Sequence, residues 1–510
     1  MSLLENIRRN ANLYEESVAY HYEGPNGCQK ELTWRQVDDY SDIIAEYLEK
    51  TLTTKKPIIV YGHKDPFMVI CFLACAKSGR AHCPIDLFLQ EQRVQSITEL
   101  VEPELVFNMS EKAYPAEAKT VLGMDWLEQQ IKAPKKKTCF EGMREEEPFY
   151  IIFTSGSTGK PKGVQITRGY FDHFLAGKMN TERGIDSSRR HVFINEVPFS
   201  FTFCAEDLYL SLYSGGSVWA IDRALFSNVK ALTEIMVRSG GTILPATPSF
   251  FKLCLADEAF SEISFRSLER IMFCGEVLSN HLVQQVRERF PNVEIINTYG
   301  ATEMIAATDI VITDEIERKC HPLPVGWMRP GMRVIVADEY GKEVPEGEKG
   351  EIIIAGRGLT AGAGYFKRKD LTEKKFQDWV IQGNRYRVYH TGDAGYMKDG
   401  CLFYGGRLDT QIKLNGFRIE LEDIENNLMK IEGLEQVAVV PRYKADQVKS
   451  LTAYIVYKGM EEDPPHYIKK KAQEYLPEYM IPKKIKIVSS LPLVNNGKVD
   501  RKLLSENENV

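Results

Sequence analysis

The sequence predicts a large N-terminal α/β body followed by a smaller α+β domain, and three observations carry that prediction. A chain of 510 residues is too long for one hydrophobic core. From Lys56 onward, short β-rich runs alternate with helical stretches, the pattern of parallel strands with helices on their faces. After Asp409 the pattern becomes α+β over about a hundred residues, a length that forms a small domain of its own.

Taken in order, the N-terminus MSLLENIRRNANLYEE has no long apolar stretch behind its positive charges, so it does not read as a secretory signal. PIIVYG reads as a strand, and PFMVICFLACAKSG after it as a buried helix. Its apolar run, Pro66 to Ala76, is too short to span a bilayer. The helix-like QEQRVQSITEL precedes the strand ELVFNM, and GTILPA is a strand before a run rich in Phe and Leu. Beyond Pro330, VIVADEYGKEVPEGEKGEIIIAG is dense in Gly and β-branched residues and predicts hairpins of a small barrel-like subdomain. Past Asp409, QIKLNG reads as a strand and RIELEDIENNLMKI as a helix with Leu421, Ile424, Leu428 and Ile431 on one face. The strands QVAVVP and SLTAYIVY follow. The expected division is 1–408 and 409–510.

Composition narrows the function classes. A formal net charge of −6 argues against a generic nucleic-acid binder. Ten cysteines without a CxxC pair or a His/Cys ligand cluster indicate neither a disulfide framework nor a structural zinc site, so a reduced, cytoplasmic setting fits best.

The sharpest local feature is YIIFTSGSTGKPKGVQIT, residues 150–167. An apolar strand, Tyr150 to Phe153, runs into a loop with Gly156, Gly159 and Gly163, hydroxyls at Thr154, Ser155, Ser157 and Thr158, and the cations Lys160 and Lys162. Glycines let backbone amides turn toward an anion, hydroxyls donate to its oxygens and lysines supply charge, so the loop suits a polyphosphate. It is not a Walker A loop: only Ser157 and Thr158 separate Gly156 from Gly159, and Pro161 follows Lys160. No GxGxxG dinucleotide fingerprint is present.

TSGSTGKPKG resembles the phosphate loop of the adenylate-forming superfamily: acyl-CoA synthetases, luciferases and the adenylation domains of non-ribosomal peptide synthetases. NTYGATE (Asn297 to Glu303) resembles that family's adenine and magnesium motif, and YHTGD (Tyr389 to Asp393) its ribose motif. YGGRLDTQIKLNGFRIE (Tyr404 to Glu420) resembles its hinge region, and NNGKVDRK (Asn495 to Lys502) its C-terminal lysine loop. The match spans nearly the whole chain in the expected order. It implies a large adenylate-forming domain with a small, mobile C-terminal domain, and a reaction that uses ATP and Mg²⁺.

The resemblance also assigns residues. Thr154, Ser155 and Lys162 would hold the phosphates, and Glu303 the Mg²⁺ on them. Asn297, Thr298, Tyr299, Gly300, Ala301 and Thr302, with Tyr404, Gly405 and Gly406, would form the rest of the nucleotide site, Tyr299 lying flat against adenine. Asp393 would accept from the ribose hydroxyls, with Arg407 in support. Lys498 would bridge the substrate carboxylate and the nucleotide during adenylation. Asp409 would be the hinge about which the small domain swings, bringing Lys413 and the Gly416 loop to the site for thioester formation. Such assignments make chemical sense, because attack of a carboxylate on the α-phosphate needs charge neutralisation and alignment.

Within the superfamily, VYGHKDPFMVICFLACAKSGRAHCPID, TPSFFKLCLADEAF, FCGEVL and TGDAGY look closest to one branch, the D-alanine–D-alanyl carrier protein ligases of teichoic acid D-alanylation. That branch implies a small amino acid as substrate and a phosphopantetheinylated carrier protein as partner. It also implies a pocket of Phe201, Thr202, Phe203, Glu206, Cys274, Thr298 and Ala306, in which Cys274 fits a small D-side chain. One departure stands out. The branch reads PFSFDLSVMD, its aspartate pairing with the ammonium, whereas this chain reads PFSFTFCAED with Thr202 at that place. A hydroxyl cannot neutralise a charge, and a buried unpaired ammonium is costly. Glu206, four residues on, is the acid that could replace it. The alternatives are a β-amino acid, a small acid with no amino group carried on a protein or on CoA, and a catalytically silent carrier-protein-binding relative. Ala301 also replaces the family's proline in the adenine motif.

Overall fold

The computed structural model describes residues 1–135, 139–156, 160–179, 184–186, 188–360, 362–409, 411–444, 447–492 and 499–506, the side chains of 359, 502 and 506 excepted. The chain divides into two compact units: Met1–Leu87, Thr98–Ile152 and Gly163–Gly406 form the larger, and Phe88–Ile97, Phe153–Lys162 and Arg407–Val510 the smaller.

In the larger unit, continuous apolar runs have become buried parallel strands. Ile58–Gly62 lies between His82–Ile85 and Val106–Met109 in a six-stranded sheet, parallel to both. A nine-stranded sheet runs in the order Trp327–Met328, Ile305–Val311, Glu294–Ala301, Arg270–Phe273, Ile243–Ala246, Val192–Asn195, Ser217–Ile221, Val18–Glu23, Gln29–Thr33, among the described residues. Its middle strands are parallel, and Ile305–Val311 folds back antiparallel on Glu294–Ala301. The helix Pro66–Lys77 is buried on nearly every side, as an apolar run without a polar stripe requires. Asp65 caps it, its side chain accepting from the Phe67 amide at 2.9 Å, and Pro66 occupies the first turn, where no amide is needed.

One buried cation joins the two sheets. Lys64, just past the strand Ile58–Gly62, is fully buried and donates from Nζ to the carbonyls of Asn195 (3.1 Å), Glu196 (2.8 Å) and Ile221 (2.8 Å). Its own carbonyl accepts from Tyr20 Oη at 2.7 Å. Burial lowers the Lys64 pKa, while Glu196 and Asp207 oppose that fall.

The Gly- and β-branched-rich region after Pro330 forms a five-stranded antiparallel sheet, in which Met332–Ala337 pairs with Gly350–Gly356. In the smaller unit, Leu434–Lys444 and Gln447–Tyr457 pair antiparallel and Lys484–Ile487 joins parallel. The expected helix RIELEDIENNLMKI begins three residues late. Phe417–Glu420 is a strand, paired with Gln411–Leu414, and the helix is Leu421–Leu428. Asn415 (φ 50°) and Gly416 (φ 80°) make the tight turn between those strands. Asn-Gly between alternating runs is the hairpin signal that the helical reading of Arg418 and Ile419 overlooked. Leu421, Ile424, Leu428 and Ile431 are all buried, as expected.

All ten cysteines are free. Among the described residues no helix is long and apolar enough to cross a membrane.

Candidate active site

The nucleotide-motif residues of the larger unit gather around the hairpin Glu294–Ala301/Ile305–Val311. A Cβ on Gly300 would lie 1.8 Å from the Ile305 carbonyl oxygen, so only glycine lets the two strands close here. Beside it, Tyr299 is buried and donates from Oη to Asp393 Oδ2 at 2.6 Å. Burial, reinforced by the Asp393 carboxylate, pushes the tyrosine pKa far above its usual value, so Tyr299 remains a donor to that carboxylate. The Asp393 amide in turn donates to Thr391 Oγ1 at 3.0 Å. Tyr404 lies with its ring centroid 6.1 Å from that of Tyr299. Asn297 is spent on structure, its Nδ2 donating to the Pro324 carbonyl at 2.8 Å.

Ala301 and Thr302 enter the hairpin turn, which the Met304 amide closes onto the Ala301 carbonyl at 3.0 Å. Glu303 in that turn is buried and accepts from Tyr365 Oη at 2.7 Å. Groups of three or more His, Cys, Asp or Glu able to hold a metal are absent among the described residues. A lone oriented carboxylate nevertheless fits Mg²⁺, which takes one or two protein carboxylates and completes its shell with water and substrate phosphate oxygens.

In the smaller unit, the phosphate-loop side chains meet the Asn415–Gly416 hairpin. Ser155 Oγ donates to the Arg418 carbonyl at 3.0 Å and accepts from the Glu420 amide at 3.2 Å. Lys162 Nζ lies 3.3 Å from Glu420 Oε1. Thr154 Oγ1, at the end of the strand Pro148–Thr154, is buried without a hydrogen-bond partner. At the end of the larger unit, Gly405 is exposed and Gly406 has a φ of 111°. Arg407 grips Asp409 in a two-pronged ion pair, 2.9 Å from Nε to Oδ1 and 2.5 Å from Nη2 to Oδ2. Lys413, half-buried, is cross-strand from Arg418. Lys498, Ser157, Thr158 and Gly159 lie outside the described residues.

The expected acid pocket lies wholly in the larger unit. Thr202 opens the 3₁₀ turn Thr202–Ala205, which Phe201 precedes and which packs on the strand Ile305–Val311. Phe201 and Phe203 are half-buried, Ala306 is buried, and Cys274 follows the strand Arg270–Phe273. Thr202 Oγ1 and Thr298 Oγ1 are buried hydroxyls without a hydrogen-bond partner. Asp207 is committed elsewhere: it accepts from Asn195 Nδ2 at 2.8 Å and caps the helix Leu208–Ser214 through the Leu208 amide. Glu206 is 1% exposed. Lys178, on the helix Arg168–Met179, stands 3.0 Å from Glu206 Oε1 and 3.2 Å from Asp309 Oδ2. Burial lowers the Lys178 pKa, but Glu206 and Asp309 outweigh it and hold that pKa above the usual value. Sequence reasoning missed Lys178 and Tyr365. Each occurs in an ordinary amphipathic or loop stretch whose spacing says nothing of the partner.

The family of AMP-binding enzymes matches residues 7–366, and the AMP-binding enzyme C-terminal domain matches residues 423–498. Over 527 residues the chain is 38% identical to the D-alanine–D-alanyl carrier protein ligase of Listeria monocytogenes serotype 4a, covering 100% of this chain and 99% of that one. Over 519 residues it is 39% identical to the ligase of the same name from Bacillus cereus strain AH187, covering 99% of each. Among solved structures, the o-succinylbenzoate CoA synthetase of Bacillus subtilis superposes with a TM-score of 0.83 at 20% identity, covering 99% of both chains. The amide bond synthetase of Marinactinospora thermotolerans gives 0.84 at 18%, also over 99% of both. At those identities the superpositions speak for the fold, and it is the family match and the full-length relatives that decide: this chain belongs to the AMP-binding enzymes of the adenylate-forming superfamily.

Proposed function

We propose that this chain activates D-alanine with ATP and passes the aminoacyl group to the phosphopantetheine thiol of a carrier protein in the cytoplasm. The observation that carries the reading is the end-to-end agreement, at 38–39% identity, with relatives named D-alanine–D-alanyl carrier protein ligases. In the first half-reaction a carboxylate oxygen bonds to the α-phosphorus and the bond to pyrophosphate breaks. In the second, the carrier thiolate bonds to the acyl carbon and AMP leaves.

The chain's own groups divide the work. Thr154, Ser155 and Lys162 hold the phosphates, with Asn297, Thr298, Tyr299, Gly300, Ala301, Thr302, Tyr404, Gly405 and Gly406 around the rest of the nucleotide. Asp393, oriented by the Tyr299 hydroxyl, accepts from the ribose, and Arg407 supports it. Glu303, oriented by Tyr365, would hold Mg²⁺, and the ion would supply positive charge to the polyphosphate. Lys498 adds charge at the attacking carboxylate. Asp409, at the boundary between 1–408 and 409–510, lets the smaller domain exchange Lys498 for Lys413 between half-reactions. Phe201, Phe203, Cys274 and Ala306 shape a small acid pocket.

A second reading has one observation in its favour. With Thr202 uncharged and Glu206 already beside Lys178, the pocket is compatible with a β-amino acid or an acid lacking an amino group. ATP–pyrophosphate exchange with D-alanine, β-alanine and a simple carboxylic acid, followed by loading of a purified holo carrier protein, tests both. Exchange that is strongest with D-alanine supports the first reading. No exchange across a broad acid panel with folded protein defeats the functional proposal as a whole.

A further inference from the structure

The acid pocket contains a carboxylate whose charge is balanced but whose hydrogen-bonding capacity is unused. Glu206 is 1% exposed, yet neither of its oxygens has a donor in hydrogen-bond geometry. Lys178 Nζ, 3.0 Å away, supplies the opposite charge while directing its hydrogen bond to Asp309 Oδ2 at 3.2 Å. The two acceptors differ in setting, for the Asp309 side chain is 34% exposed and the Glu206 side chain only 1%. Asp309 is the direct cross-strand partner of Thr298, so both side chains stand on one face of the hairpin. Thr298 Oγ1 and Thr202 Oγ1 are also buried without partners. A buried carboxylate and two buried hydroxyls, all short of hydrogen bonds, are the complement of a compact group with several N–H donors. Arg329 places a second buried cation nearby, its guanidinium 4.6 Å from the Phe174 ring centroid on the helix that carries Lys178.

We propose that Lys178 is a specificity-determining residue: its ammonium contends with the substrate's ammonium for Glu206, and Asp309 is the acceptor to which Lys178 yields when substrate binds. The proposal rests on the reading of this pocket as an amino-acid site and adds the residue that sets its affinity. Because Lys178 already donates to Asp309, giving up Glu206 still leaves its ammonium a charged acceptor. The substrate then offers Glu206 the donors that it lacks. An acid without an ammonium gains nothing by displacing Lys178, so the pair also discriminates between amino acids and their uncharged counterparts.

Opposite-signed variants test this. The readouts are the KM for D-alanine in ATP–pyrophosphate exchange and the inhibition constant of D-lactate, the same skeleton with a hydroxyl for the ammonium. Lys178→Met removes the contender and is expected to lower the D-alanine KM by about tenfold with a smaller change in kcat. Asp309→Asn removes the charged refuge, leaves Lys178 on Glu206 and is expected to raise that KM several-fold. D-lactate inhibition is expected to move by less than twofold in either. Thermal melting checks the fold of each variant, and Lys178→Gln carries the same test should the methionine variant not fold. A Lys178 variant with an unchanged or raised D-alanine KM, KM shifts of the same sign in both variants, or equal shifts for D-alanine and D-lactate would overturn the proposal. Wild-type exchange with D-alanine alongside any of those results would defeat this proposal alone, whereas absence of wild-type exchange with any acid would defeat the functional reading beneath it.

Discussion

Gly300→Ala tests whether the nucleotide hairpin must close as tightly as it does. The added Cβ would lie 1.8 Å from the Ile305 carbonyl oxygen, 2.7 Å from its carbon and 2.8 Å from Ala306 Cα. Ordinary contact begins near 3.4 Å, so the facing strand must retreat by roughly 1.6 Å. All three atoms are backbone, so no rotamer change relieves the clash. Overpacking of this kind costs about 1–3 kcal/mol. The strain falls between Tyr299, which orients Asp393, and the turn that carries Glu303. A displacement of the order of 1 Å in positioning groups costs up to about 100-fold in rate. The expected result is a lowered Tm together with a 10- to 100-fold drop in kcat/KM for ATP, roughly 1.4 kcal/mol per decade, in pyrophosphate exchange. Gly177→Ala is the control: its Cβ meets nothing within 4 Å, and alanine within the helix Arg168–Met179 should add about 0.5–1 kcal/mol. A Gly300→Ala enzyme with wild-type melting and wild-type ATP kinetics would refute the reasoning.

Other outcomes follow from the same contacts. Lys498→Ala should lower pyrophosphate exchange by several orders of magnitude with ATP binding by calorimetry nearly intact, while Lys413→Ala should spare exchange and impair carrier loading. Glu206→Gln should raise the D-alanine KM at least roughly tenfold, as loss of a charge-assisted contact worth about 1.5–3 kcal/mol requires, and leave the ATP KM unmoved. Tyr365→Phe should raise the Mg²⁺ concentration needed for half-maximal exchange, read by Mg²⁺ titration, since Glu303 loses the hydroxyl that orients it. Burial pushes the Asp38 pKa up, but Lys77, Arg8 and Lys135 outweigh it and hold the carboxyl at about 2, below its usual 3.8. A depressed carboxyl stabilises the fold above its unfolded pKa and loses that contribution as pH falls through the folded value. Asp38→Asn should therefore cost about 2 kcal/mol at pH 7, a gap in denaturant stability that narrows between pH 4 and pH 2.

Much of the fold could be read from the chain because its strands are fully buried. PIIVYG and GTILPA carry no alternation, which in an α/β chain marks the interior of a parallel sheet, and both became such strands. The run PFMVICFLACA became a helix buried nearly all round for the same reason. The helical reading of Arg418–Glu420 failed because three residues fit a strand and a helix equally well, and only the Asn-Gly turn before Phe417 distinguishes the two. The site divides along similar lines. Motif spacing singles out Tyr299, Asp393 and Glu303, but it does not show that Tyr299 serves the carboxylate of Asp393 as well as offering a ring face. Nor does it distinguish Glu206 from Asp207, adjacent acids of which one caps a helix and the other faces a lysine. A buried Lys178 runs against the usual exposure of lysine, and its partners lie 28 and 131 residues away, beyond any local pattern.

Lys64 has a consequence for how the larger unit comes apart. Its ammonium ends two strands of one sheet, Val192–Asn195 and Ser217–Ile221, while its backbone continues a strand of the other and is held by Tyr20. Separating the sheets leaves a desolvated cation and three carbonyls with no replacement until water floods the gap, so a partly opened intermediate has nothing to stabilise it. The two sheets therefore melt as one cooperative block. Fluorescence probes placed one on each sheet should report the same midpoint in denaturant, and Lys64→Met should split that single transition into two.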